Sequence, residues 1–206
     1  MKGDSPLKSA VRLLPAVFMT VLGSVAGGFI LSKVGRYSLF YIIGTGLGVI
    51  GSAVLFTTTV DTSDAVIYVF TAVMGLGAGL SSQVAFSVAQ AKVRKEQVGQ
   101  AIAFLSTGQI LSVLLSIAIS GTVMLNTAIS GLEKLLTNVS PDVIKNDVAG
   151  TAGNALESLS PQVREQALSV LVDAINKVWI ITLSAACLGF ACSLLLKHER
   201  IFIAGH

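Results

Sequence analysis

Five long apolar blocks dominate this chain, at residues 11–31, 39–58, 65–89, 101–127 and 178–196. Ionisable side chains are nearly absent from each, and charges or turn-formers bound them. A hydrocarbon core about 30 Å thick takes about 20 helical residues to cross. Every block reaches that length. The pattern predicts an all-α, polytopic membrane bundle of about five transmembrane helices, organised as one membrane domain over residues 1–206. The lipid bilayer is its first partner.

Composition agrees. Apolar residues make up 53% and charged residues 12% of the 206 positions, with a mean hydropathy of +0.80. Soluble domains carry roughly 25% charged residues. The net charge of +3 comes from cations in the gaps between blocks, so it describes no nucleic-acid surface. The first fifteen residues hold Lys2, Asp4, Lys8 and Arg12 without a compact apolar core before them, which is unlike a cleaved leader. Pro15 is placed in the first turn of the first span, where a missing N–H costs little. Cys187 and Cys192 lie five residues apart on one helix and point to different faces. They cannot pair with each other or hold zinc, and they read as small core residues.

Cations set the orientation. Lys33 and Arg36 occupy the first gap, and Lys92, Arg94 and Lys95 the third. Lys197 and Arg200 follow the last span, whereas the second gap has only Asp61 and Asp64. Cations are retained on the cytoplasmic side, which puts the first and third gaps and the tail 197–206 in the cytosol. Lys2, Lys8 and Arg12 oppose that assignment, but the three gaps and the tail alternate consistently. An external N-terminus with an odd number of spans leads to the expectation that further spans precede Met1.

By the same alternation residues 128–177 form a long external loop. Ser140-Pro141 and Ser160-Pro161 each read as an N-cap followed by proline at the first helical position. After the second, Val163, Ala167, Val170, Leu171, Ala174 and Ile175 recur at helical spacing. They predict a short amphipathic helix lying on the membrane surface, against the bundle mouth, or on a partner helix. Asn138-Val139-Ser140 is a glycosylation sequon, with Asn138 as acceptor.

Within the blocks the informative residues are small or polar. Gly23 and Gly27, Gly44 and Gly48, and Gly75 and Gly79 are small-xxx-small pairs, with Gly77 inside the last. Such spacing lets helix backbones approach where lipid removes the hydrophobic drive, and the 75–79 cluster would also permit bending. Gln83, Ser106, Thr107 and Gln109 are polar at depth. They either bond between helices or line a wet cavity. No acid, histidine, lysine or arginine lies well inside a block. Catalytic, metal and cofactor signatures are missing: there is no H-E-x-x-H, no G-x-x-x-x-G-K, and no nucleophile with a base. An enzyme is not expected.

One short stretch says more. Gly28, Ser32, Lys33, Gly35 and Arg36 follow the pattern G-x-x-x-D-[RK]-x-G-R, which joins two helices on the cytosolic side of major facilitator transporters. A plain topogenic turn would explain the cations but not the glycines at fixed offsets. Ser32 stands where the pattern has aspartate, and Tyr37 where a second cation often follows. Ser5-Pro6-Leu7-Lys8-Ser9-Ala10-Val11-Arg12-Leu13-Leu14-Pro15 also resembles the entrance to a late helix of fourteen-span fungal drug:proton antiporters. So do Val84-Ala85-Phe86-Ser87-Val88-Ala89-Gln90-Ala91 and Phe104-Leu105-Ser106-Thr107-Gly108-Gln109.

The resemblance covers the whole chain but only the last five helices, the C-terminal half, of such a transporter. It implies part of a plasma-membrane efflux pump that exports drugs or toxic secondary metabolites by proton antiport. The Gly28–Arg36 turn would latch one conformation. A small hydrophobic substrate, protons and an N-terminal transporter half are the implied partners. Two other classes stay open. One is a membrane scaffold or regulatory subunit that binds partner helices through its glycine faces. The other is a channel, disfavoured by the lack of a sustained polar stripe.

Overall fold

The computed structural model describes residues 6–136, 140–148 and 161–197. They form α1 (Pro6–Val34), α2 (Tyr37–Phe56), α3 (Asp64–Lys92), α4 (Val98–Leu135, entered through a 3-10 turn at Lys95–Gln97), α5 (Pro141–Val148) and α6 (Pro161–Leu194). No strand occurs among the described residues. Five helices, all but α5, are long and apolar enough to cross a membrane. The all-α polytopic bundle expected from the pattern is the fold observed.

The spatial order differs from the chain order. α1 packs on α3, α3 on α2, α2 on α6 and α6 on α4, while α4 touches α3 only lightly. The turns follow from local chemistry. Thr57 and Thr58 donate their hydroxyls to the Val54 and Leu55 carbonyls at 2.8 Å, which satisfies orphan acceptors at the end of α2. Ser63 then caps α3, its hydroxyl accepting from the Ala65 N–H at 3.3 Å.

Three expectations change. α1 begins at Pro6, so Pro6 opens the helix and Pro15 lies in its interior, not in its first turn. Lipid-spanning helices tolerate such a proline when neighbouring groups take up the freed carbonyl. Cys187 and Cys192 are exposed side chains rather than core residues. Finally, the amphipathic segment after Pro161 is no separate helix. It continues into the last span as α6, because neither glycine nor proline interrupts residues 162–188.

The predicted apolar face of that segment finds its place against helices. Ala167, Leu171 and Ala174 are buried with Ala128 and Leu132 of α4 and Ile144 of α5. The described part of 128–177 is therefore a small three-helix cap with its own core, at the mouth of the bundle. A second core, made by Leu31, Tyr37, Phe40 and Val84, lies at the opposite end of the bundle, beneath the turn between α1 and α2.

Glycines bring the spans together. A Cβ at Gly23 would lie 2.5 Å from the Leu76 carbonyl oxygen, and one at Gly75 or Gly79 would collide with the α1 backbone at Ala16 or Thr20. Gly77 faces the other way and meets Gly44 of α2. α3 is thus clamped on two sides by backbone-to-backbone contact, and it runs unbroken from Asp64 to Lys92. Across the first contact the Ser24 hydroxyl donates to the Gly79 carbonyl at 3.3 Å. Gly48 stands beside Ala186 of α6 with space left over, whereas Gly51 makes the tight contact, against Met74 of α3.

Candidate functional site

The turn between α1 and α2 is built around Gly35, which has φ 70°. That left-handed conformation suits glycine and strains other residues. The Gly35 N–H donates to the Leu31 carbonyl at 2.8 Å, closing α1 with the C-terminal glycine motif. Leu31 is buried, and it anchors the turn on the core shared with Val84 of α3. Gly28, one helical turn earlier, lies beside Gln83 of α3, where an added Cβ would make an ordinary contact. A Cβ there would lie 3.5 Å from Cγ of Gln83.

Polar members of the turn divide into two groups. The Ser32 hydroxyl donates to its own helix, at the Phe29 carbonyl, over 2.7 Å. It therefore makes no bridge to a neighbouring helix of the sort an aspartate could form. Lys33 folds back so that Nζ stands 4.4 Å from the Phe29 ring centroid. Arg36 caps α2 by its backbone only, and its side chain is exposed. Tyr37 explains its own presence. Its buried ring receives Nζ of Lys92, at the end of α3, at 5.1 Å from the centroid. A second cation at position 37 would repel Lys92, while an aromatic face attracts it.

The polar residues at depth do not converge. Gln83 is exposed beside Gly28 on the α1 side of α3. Gln109 instead lines a cleft of about 210 Å³ between α3 and α4, together with Ser82, Ala85, Phe86 and Leu105. Ser106 is half-buried and Thr107 is exposed. Asn138 lies outside the described residues. No cluster of metal-ligating side chains occurs among the described residues.

The opposite end of the bundle holds polar residues that the sequence pattern does not single out. A cleft of about 670 Å³ opens there between α4, α6 and the end of α2, with Lys134, Asp173, Asn176 and Lys177 at its polar walls. Asn176 also ties α6 to α2. Its Nδ2 donates to the Thr58 carbonyl at 2.9 Å, and its Oδ1 accepts from the Thr58 hydroxyl at 3.0 Å. The signal available beforehand was a lone amide, two residues before the last apolar block begins, and a threonine pair closing the second block. Neither announces a partner.

Comparison with known proteins settles the lineage. The chain is 30% identical over 98% of its length to the MFS-type transporter pgmG of Aspergillus terreus. It is 33% identical over 98% to the efflux pump alnA of Emericella nidulans, and 34% identical over 96% to the MFS-type transporter patC of Penicillium expansum. This chain is a homologue of fungal MFS-type transporters and efflux pumps. It spans 36% of the length of each of these three relatives. No family model matches it, and no solved structure does. Relatives of this kind are integral membrane transporters, in keeping with the five spanning helices of this MFS-type homologue.

Among the described residues, large apolar side chains are exposed along both α1 and α4. On α4 every residue from Thr107 to Ile119 is exposed, and nothing lies within 4 Å of a Cβ placed at Gly108. On α1 the exposed residues include Val17, Phe18, Val21, Val25 and Phe29.

Proposed function

We propose that this chain is the C-terminal helical part of a plasma-membrane efflux transporter, with its C-terminus in the cytosol. The transporter exports a small hydrophobic metabolite or drug in exchange for protons by alternating access. The observation that carries this reading is the all-round exposure of α4 between Thr107 and Ile119. One side of such a helix meets lipid, and the other offers a seam to further helices of a longer protein. In transporters with two pseudo-symmetric halves, that seam encloses the substrate path.

Within the proposal the chain's residues divide the work. Gln109, Ser106 and Thr107 face the shared cavity from α4 and supply hydrogen bonds to substrate or water. The paired glycine contacts hold α1, α3 and α2 as one rigid block, so that motion occurs at the seam with the remaining helices. The Gly28–Arg36 turn, seated on the Leu31–Val84 core, couples the ends of α1 and α2 to α3 through Gln83 and Lys92. Its exposed Lys33 and Arg36 are free to engage groups on the remaining part and so favour one state over the other. The spans contain no acid at depth, so the proton-binding carboxylate comes from that remaining part.

The test is export. A drug-sensitive yeast strain expressing a whole transporter that contains this chain should gain resistance and lose it with a protonophore. Resistance that survives collapse of the proton gradient removes the antiport mechanism. Absence of any exported compound, with correct membrane insertion, would favour a scaffold that uses the α4 face to hold partner helices.

A further inference from the structure

The cleft at the end of the bundle away from the Gly28–Arg36 turn has the chemistry of a ligand site. Its volume of about 670 Å³ lies within the roughly 300–1,000 Å³ of small-molecule sites. Phe56 of α2, Val170 and Ile180 make its apolar lining, and Lys134, Lys177 and Asp173, two ammonium groups and one carboxylate, are its charged lining. Gly131 lets α4 and α6 close at its base, since a Cβ there would collide with Val170.

Its position sorts these groups along the membrane normal. Phe56 is the last residue of α2, and Ile180 lies near the start of the apolar part of α6. Lys134, one residue from the end of α4, belongs to the cap. An occupant would thus bury hydrocarbon at the membrane edge and present a headgroup to the lysines. Of the two amides in the walls, Asn176 is held in place by Thr58, so one wall of the cleft is pre-organised.

We infer that this cleft binds an amphiphilic organic anion, a carboxylate on a hydrocarbon body, with Lys134 and Lys177 as its charge partners. The ammonium pair selects anions over cations, the Phe56–Ile180 wall selects amphiphiles over small salts, and Asp173 keeps the site from holding its ligand too tightly. In a transporter that exports such molecules, the cleft receives them where they leave the bilayer region. That last role rests on the efflux reading, but binding itself does not.

Lysine protection tests it. The purified protein in phosphatidylcholine nanodiscs is acetylated with a soluble amine reagent, and each lysine is followed by peptide mass spectrometry. Saturating decanoate should slow modification of Lys134 and Lys177 about five-fold, and leave Lys145, exposed on α5 of the same cap, unchanged. Asp173→Asn should deepen the protection, and Asn176→Asp should weaken it. Equal rates with and without decanoate, or equal protection from decyltrimethylammonium, overturn the proposal. Protection by acetate alone removes the amphiphile, and protection by phosphatidylglycerol without decanoate assigns the cleft to a lipid headgroup instead. No arm measures transport, so failure here leaves the efflux reading standing, and failed export leaves these rates interpretable.

Discussion

Asn176 of α6 clasps Thr58, two residues past the end of α2, by donating to its carbonyl at 2.9 Å and accepting from its hydroxyl at 3.0 Å. The pair is separated by more than half the chain in sequence, and it ties the second span to the last at one end. From the middle of α2, Thr45 donates to Ser193, near the end of α6, at 3.3 Å. α2 and α6 are therefore joined by polar contacts at two levels, with Gly48 standing beside Ala186 between them.

Replacing Asn176 with leucine removes both bonds of the clasp and leaves the half-buried Thr58 hydroxyl dependent on the Leu55 carbonyl. A net loss of about 1–2 kcal/mol follows from the usual worth of such bonds. It should appear as a lowered midpoint in thermal or detergent unfolding of the purified protein. Thr58→Ser keeps both partners and should unfold within error of the parent. An unchanged midpoint for Asn176→Leu would mean that water replaces the amide at no cost.

Glycine positions offer a sharper contrast. Gly79→Val places a branched side chain against the α1 backbone at Thr20, and Gly77→Val does so against Gly44. Overpacking of this kind costs about 1–3 kcal/mol, and it should cut the yield of folded protein in size-exclusion profiles. Gly99→Ala and Gly108→Ala have open space, and alanine is the better helix former by about 1 kcal/mol. Those two should be neutral or stabilising. Equal damage at all four sites would sever the link between close approach and stability.

How far the chain could be read in advance follows from the same residues. Apolar blocks marked the spans because the bilayer imposes a length that no local competitor mimics. The glycine pairs marked close approach but not its direction. Gly75 and Gly79 face α1 while Gly77 faces α2, and a helix met on two sides looks in sequence like a helix built to bend. Gly44 meets Gly77 and Gly51 meets Met74 of α3, whereas Gly48 stands beside Ala186 of α6. Polar residues at depth were visible too. That Gln83 lies beside Gly28 of α1 while Gln109 lines the cleft between α3 and α4 depended on the rotation of α3 and α4, which spacing within either helix does not encode. The Thr58–Asn176 clasp and the cleft beside it needed three distant segments to meet.

The turn makes two separable predictions. Gly35→Ala forces a Cβ into the left-handed region, at about 1–2 kcal/mol, so it should lower stability and export together. Arg36→Ala removes only an exposed side chain, and should reduce export in a whole transporter while unfolding at the parent's midpoint. Full export by Arg36→Ala would reduce that residue to a topology signal.

Orientation is testable with single cysteines in a background where Cys187 and Cys192 are replaced by serine. A cysteine at Ser63, between α2 and α3, should react with an impermeant maleimide added to intact cells. One at Gly153 should do the same, and one at Gln97, between α3 and α4, should react only after permeabilisation. The opposite pattern would invert every assignment drawn from Lys33, Arg36, Lys92, Arg94 and Lys95.

Residues 1–206 expressed alone should export nothing. Alternating access needs two bodies that rock about a central site, and the glycine seams here join α1, α2 and α3 into one. Every residue of α4 from Thr107 to Ile119 is exposed, so in the isolated chain Thr107 and much of this stretch meet lipid or detergent where a cavity wall would need a facing helix. A polar side chain left in hydrocarbon is costly, and an apolar helix without a partner invites association with a second copy. The isolated chain should therefore confer no resistance on a drug-sensitive yeast and should run as oligomers in mild detergent. Co-expression with the remaining part of a matching transporter should shift it to a discrete complex and restore some resistance. Proton-driven export by the purified chain alone, reconstituted in vesicles with an imposed pH gradient, would refute both the need for a second body and the placement of the proton-binding carboxylate outside these helices.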